Sequence, residues 1–227
     1  MKIEKQIQEK MLHNFTHKNA LPNNQAVYQK LIFYRFEEIV KNLASRFCSL
    51  ANELELENSL RLFISHSAKS TLAWQILKEY RQFVKKQKLF PSQKYLYDIL
   101  FVECTQLDIL MQTKPSFFAQ PFLWNNHYKL AKWAKIAKLS CNIASSDVET
   151  KESTHILIHY DFTKNTVSCR QINAFLYTLL KRLNVSLPLQ KHMNFLCEEN
   201  SISVEEAKRV LSEPIEELVN SKVIMPI

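Results

Sequence analysis

The sequence predicts a mainly α-helical protein with a small α+β part at its C-terminal end. Three observations carry that expectation. Between Ala26 and Leu50 apolar residues recur at steps of three and four, at Val27, Leu31, Ile32, Phe36, Ile39, Val40, Leu43, Phe47 and Leu50, the signature of one helical face. From Thr154 the period changes to two, with His155, Leu157 and His159 alternating with Ile156, Ile158 and Tyr160. The 227 residues include no glycine, where about 7% is usual, so turns must rest on Asn, Asp, Ser and Pro.

Taken in order, residues 3–17 place Ile3, Ile7, Met11 and Phe15 at four-residue steps, a short amphipathic helix. Pro22, Asn23 and Asn24 form a turn into the main helix, which is expected to break near Ser45–Asn52. A helix follows over 53–66 with Leu56, Leu60, Leu62 and Phe63 inward. The next is capped by Ser70 or Thr71 and ends at the lysines of 85–88, where cations oppose the helix dipole. The stretch 94–112 is the second strong helix, with Leu96, Ile99, Leu100, Glu103, Leu107, Leu110 and Met111 on its inner side. Glu103 belongs at the margin of that face or, failing that, beside a buried cation.

Residues 114–153 read as a connector. It opens with prolines and aromatics and then spaces Lys129, Lys132, Lys135 and Lys138 three apart, either a solvated amphipathic face or a phosphate-contacting stripe. A strand is allowed at 139–143. The hairpin Thr154–Arg170 turns at Asp161–Asn165; helices follow over 171–183, 187–198 and 203–213, a short helix starts at Pro214, and 221–227 suits a terminal strand. Hairpin, helices and final strand together suggest a winged-helix-like domain. The expected organisation is therefore a helical domain over 1–113, a connector over 114–153 and this domain over 154–227.

Composition narrows the chemistry. Without glycine, a P-loop, a dinucleotide fingerprint and a G-x-S-x-G elbow are all excluded in their standard forms. Five scattered cysteines with no C-x-x-C spacing argue against a disulfide framework and a zinc site, and Cys48 and Cys104 sit in apolar helical runs as small hydrophobes. His155 and His159, four apart on a strand, stand about 13 Å from each other at roughly 3.3 Å per residue and cannot share an ion. His13 and His17 are four apart on a helix but lack a third ligand in sequence. Ser65-His66-Ser67 has no recognisable triad around it. The net charge of +8 permits an acidic partner. No apolar run is long enough to span a membrane and the N-terminus lacks a signal-peptide core, so a cytoplasmic location is expected.

Two segments resemble a known family. Tyr28 to Leu43, with Arg35-Phe36 and Leu43 at fixed spacing, is similar to a "YR-NNV-x-x-x-L" opening. YLYDILFVECTQLDI over 95–109 is similar in spacing and polarity to "YLADLARLEWARREA". Both are features of the HvfC, BufC and MbnC family, long labelled DNA-binding. The chain departs from it at Gln29 and Lys30, where Arg and Asn are usual, and at Cys104 and Thr105, where Trp-Ala is usual.

That resemblance implies a non-catalytic subunit. It would form a heterodimer with a TIM-barrel multi-iron enzyme and help convert cysteines of a ribosomally made precursor peptide into copper-binding oxazolone and thioamide groups. Iron would then belong to the enzyme and copper to the peptide product, with no cofactor and no catalytic residue in this chain. The C-terminal domain would take the peptide leader along an edge strand, with His155, Leu157, His159, Val167 and Cys169 as candidate contacts. Lys30, Arg35, Glu38 and Lys41, the outward residues of the first strong helix, are candidates for the enzyme interface. The alternative is a winged-helix DNA-binding regulator. Against it, the candidate recognition helix VEEAKRVLSE (204–213) carries Glu205, Glu206 and Glu213 against only Lys208 and Arg209. An intrinsic metal-binding protein is a third, weaker reading.

Overall fold

The computed structural model describes residues 23–114, 121–143, 152–183 and 186–227. The chain divides into two compact units, Met1–Cys104 and Thr105–Ile227. The predicted helix over 3–17, with His13 and His17, lies outside the described residues.

The first unit is helical. Its helices are α1 (Asn23–Leu43), α2 (Ser45–Leu50), α3 (Glu53–His66), α4 (Ala73–Gln87) and most of α5 (Tyr95–Leu110). The main helix breaks at Ala44, just before the expected span Ser45–Asn52, and resumes as the six-residue α2; a second interruption, at Ala51–Asn52, falls within that span. Asn52 caps α3 by accepting from Leu54 N and Glu55 N at 3.1 and 3.2 Å, and Glu53 and Glu55 suit the positive end of the helix dipole. The cap expected for α4 differs: Leu72 takes the position, and Ser70 stands two residues outside, its hydroxyl accepting from Leu72 N at 3.2 Å. Glu79 holds this approach by accepting from Lys69 N and Ser70 N.

Aromatic rings fill the core of this unit. Phe47 meets Tyr80 and Phe90 edge-on, and Phe63 meets Phe36 and Tyr80, at centroid separations of 5.4–6.1 Å. Such contacts add to the burial of the rings themselves. Leu56, Leu60 and Phe63 point inward as expected, whereas Leu62 is exposed. Leu110 and Met111, expected on the inner side of α5, are exposed too, because that face ends at Ile109.

The second unit holds two small antiparallel sheets. One pairs β1 (Tyr128–Leu130) with β5 (Ile224–Pro226); the other has the order β2–β3–β4, from Ala134–Leu139, Thr154–Asp161 and Thr166–Ile172. Three helices follow the second sheet in sequence: α6 (Ala174–Arg182), α7 (Leu189–Asn200) and α8 (Val204–Asn220). The hairpin turn forms as read: Asp161 Oδ1 accepts from Thr163 N and Lys164 N, and Asn165 takes the left-handed conformation.

Two expectations are corrected here. The presumed connector supplies β1 and β2, both integral to the second unit, so the lysine spacing of three concealed strands. Pro214 does not start a new helix: α8 runs through it for 17 residues. The amide that Pro214 lacks leaves the carbonyl of the exposed Val210 open to water, which makes the break tolerable. The final strand exists but pairs with β1, so it shares no sheet with the hairpin.

Candidate peptide-docking surfaces

Register decides which strand can accept another. β3 pairs with β2 through Thr154–His159 and with β4 through His155–Asp161, so both its backbone edges are occupied. His155, Leu157 and His159 are therefore residues of a central strand and not of an edge. The continuous apolar run Ile156–Ile158 is the sequence signal for that position, since a strand buried on both faces loses its alternation.

Val167 and Cys169 do lie on an edge, that of β4, which pairs only with β3 among the described residues. They sit on one face with Ile156, Ile158 and Tyr160; Ser168 and Arg170 share the other face with His155, Leu157 and His159. Parity thus separates the five candidates into two groups on opposite faces.

The two edges of the sheet differ in how they are protected. β2 presents the exposed Lys135 and Lys138, one on each face, and charged edge residues discourage strand addition. β4 carries no lysine, and its one cation is engaged: Arg170 Nη1 donates to Glu217 Oε1 of α8 at 2.7 Å. Of the two edges, β4 is the one left without such a guard. The same parity disposes of the lysine stripe. Lys129, Lys132, Lys135 and Lys138 are all exposed, but they divide between β1, a turn and the two faces of β2, and form no single phosphate-tracking row.

On α1 the candidate interface residues Lys30, Arg35, Glu38 and Lys41 are all exposed, Lys41 with an ion pair to Glu37 at 2.8 Å. They surround exposed apolar residues, of which periodicity had assigned Val27 and Leu31 to the core. Val27, Leu31 and Tyr34, at helical spacing, are 58–59% exposed, and Tyr28 beside them 46%. The inward residues of this half are Ile32, Phe33 and Phe36, so α1 is apolar on both sides here. Tyr28 and Tyr34 were the residues that counting one face overlooked.

Ser65 Oγ lies 2.6 Å from His66 Nδ1, but both contact Leu62 O at the end of α3, a local C-terminal arrangement with no further acid or oxyanion donor. Burial pushes the Cys48 thiol up to about 12, the wrong direction for a nucleophile, and Cys104, Cys141 and Cys197 are buried. No group of three or more His, Cys, Asp or Glu suited to a metal occurs among the described residues. His155 instead stacks on Tyr177, with ring centroids 4.5 Å apart. No described helix is long and apolar enough to cross a membrane. Against known proteins, no family model and no curated relative matches this chain.

Proposed function

We propose that this protein is a non-catalytic partner subunit that takes a precursor peptide along β4 and an enzyme against α1. The observation that carries the reading is the β4 edge, an open strand without lysine beside a helix that engages its arginine. A peptide added there gains affinity from backbone hydrogen bonds and specificity from alternate side chains, with Val167 and Cys169 facing one way and Ser168 and Arg170 the other. The apolar patch Val27–Tyr34, rimmed by Lys30, Arg35, Glu38 and Lys41, has the apolar-centre, polar-rim character of a protein interface. By the family resemblance, the enzyme is the TIM-barrel multi-iron protein and the peptide is cysteine-containing. The second unit would then be the winged-helix-like leader-recognition module, and the partner enzyme would supply iron. Oxazolone and thioamide formation would occur there and not in this chain.

The DNA alternative is weaker on charge: α8 exposes Glu205, Glu206, Glu213, Glu216 and Glu217. Co-expression with a TIM-barrel multi-iron enzyme of the resembled family, followed by size-exclusion chromatography, tests the proposal. Co-elution, together with peptide-induced amide shifts confined to Thr166–Ile172 in NMR spectra, supports it. Separate elution with salt-resistant, sequence-selective promoter binding replaces it with a regulator.

A further inference from the structure

We infer that the second unit contains an acid-sensitive device: two buried neutral histidines, each placed beside an arginine whose ion pair ties two elements together. His159 on β3 is 7% exposed, and its Nδ1 donates to Tyr160 O at 3.3 Å. Register sets it opposite Ser168, with Arg170 on the same face one diagonal step away. Arg170 in turn joins β4 to α8 through Glu217, while its Nε is buried without a hydrogen-bond partner. His192 on α7 is 4% exposed, and its Nε2 likewise has no partner. Arg182, whose charge acts on this ring, joins α6 to α7 through a two-pronged pair with Glu199, at 2.6 and 3.0 Å.

The same construction thus occurs twice on unrelated elements. The charged groups acting on His159 are Arg170, which opposes a positive ring, and Asp161 and Glu217, which favour one. Those acting on His192 are Arg182 and His127, both opposing. Burial is the largest effect at each site and, with the arginines, holds both imidazoles below the usual histidine range. The unfolded chain therefore binds more protons than the folded one as pH falls through about 6.5, and stability is lost in that direction. At pH 5.5 each ring reduces the folded-to-unfolded ratio by at most about tenfold. Carboxylates of ordinary pKa scarcely titrate between pH 7.5 and 5.5, so the histidines dominate this window. The device operates whether or not β4 binds a peptide, and where it does, acidification would release that peptide.

Urea unfolding of the full chain at pH 7.5 and 5.5, followed by hydrogen exchange and mass spectrometry, reads the two units separately. The expected result is a lower folded ratio of the second unit at pH 5.5 than at pH 7.5, by at most about tenfold for each ring. His192→Leu and His159→Asn, the latter keeping a donor towards Tyr160 O, should each remove part of that drop. Equal pH slopes in the wild type and both variants would overturn the inference. Should His192→Leu not fold, NMR titration of the two rings in the folded wild-type chain decides. Ordinary histidine titration at both overturns the inference, and titration displaced to lower pH supports it.

Discussion

Glu103 on α5 caps the short helix α2 across 56 residues of sequence: its Oε2 accepts from Phe47 N at 3.0 Å, and its Oε1 accepts from Arg46 N at the same distance. The carboxylate satisfies two amides that a helix beginning leaves without intrahelical partners. It thereby fixes Phe47, whose ring lies between Tyr80 and Phe90. Sequence reasoning set Glu103 at a face margin or beside a buried cation. It is half-buried, and its partners are backbone amides. Burial raises its carboxyl above the usual range, and the two amide bonds oppose that rise.

Removing this acceptor leaves the partly buried amide of Phe47 unsatisfied. Glu103→Ala should destabilise the first unit by about 1–3 kcal/mol. Glu103→Gln, which keeps one carbonyl acceptor, should cost less. Urea unfolding monitored in that unit measures both, and equal losses for the two variants would refute the cap.

Ser59 and Tyr80 share a buried hydrogen bond of 2.5 Å, but the two partners are not equally replaceable. The serine hydroxyl also contacts Leu56 O at 2.7 Å, so Tyr80→Phe leaves it with a partner. Ser59→Ala leaves the fully buried phenol without that contact. The expected costs are about 1 kcal/mol for Tyr80→Phe and about 2–3 kcal/mol for Ser59→Ala. Thermal or urea unfolding of the two single variants checks the order, and the reverse order would be incompatible with this geometry.

The lack of glycine has a local consequence at helix ends. Lys88 after α4 and Ser201 after α7 both adopt left-handed conformations, with φ of 51° and 55°. The residue after each completes the closing hydrogen bond: Leu89 N donates to Val84 O, and Ile202 N to Cys197 O. These are Schellman endings with the usual glycine missing. Lys88→Gly and Ser201→Gly should each stabilise the chain by about 0.5–1 kcal/mol, since the relief of the left-handed penalty exceeds the extra unfolded-state entropy of glycine. Alanine at either site should give no such gain. Denaturation midpoints distinguish the two.

How legible these features were depended on how local their causes are. The helix α3, the hairpin turn at Asp161–Asn165 and the interruption at Ala51–Asn52 follow from neighbouring residues, and the sequence places them well. The edge position of β4 and the central position of β3 depend on β2 arriving from the other side, and β2 was hidden by lysines spaced three apart. Likewise, Arg170 meets Glu217 across 47 residues, a contact that no local pattern announces. Val27 and Leu31 failed for a different reason. Apolar periodicity identifies residues suited to burial, but α1 has two such sides, and one sequence cannot say which is covered in the isolated chain.

That second side yields the sharpest functional prediction. Leu31→Asp and Tyr34→Asp replace exposed residues that stand outside the first unit's core, so the stability of the isolated chain should change by no more than about 0.5 kcal/mol. If the patch receives the partner enzyme, a carboxylate buried at the centre of the contact has no cation supplied for it. Affinity should then fall by at least tenfold, or about 1.4 kcal/mol. Phe33→Asp would be a poor substitute, because Phe33 is buried under Arg61 and its loss would damage the fold itself. Size-exclusion chromatography and calorimetric titration with the enzyme measure the effect, and circular dichroism of the free variants confirms an intact fold. Unchanged enzyme affinity in both variants would remove α1 from the interface and leave its apolar outer face to another partner.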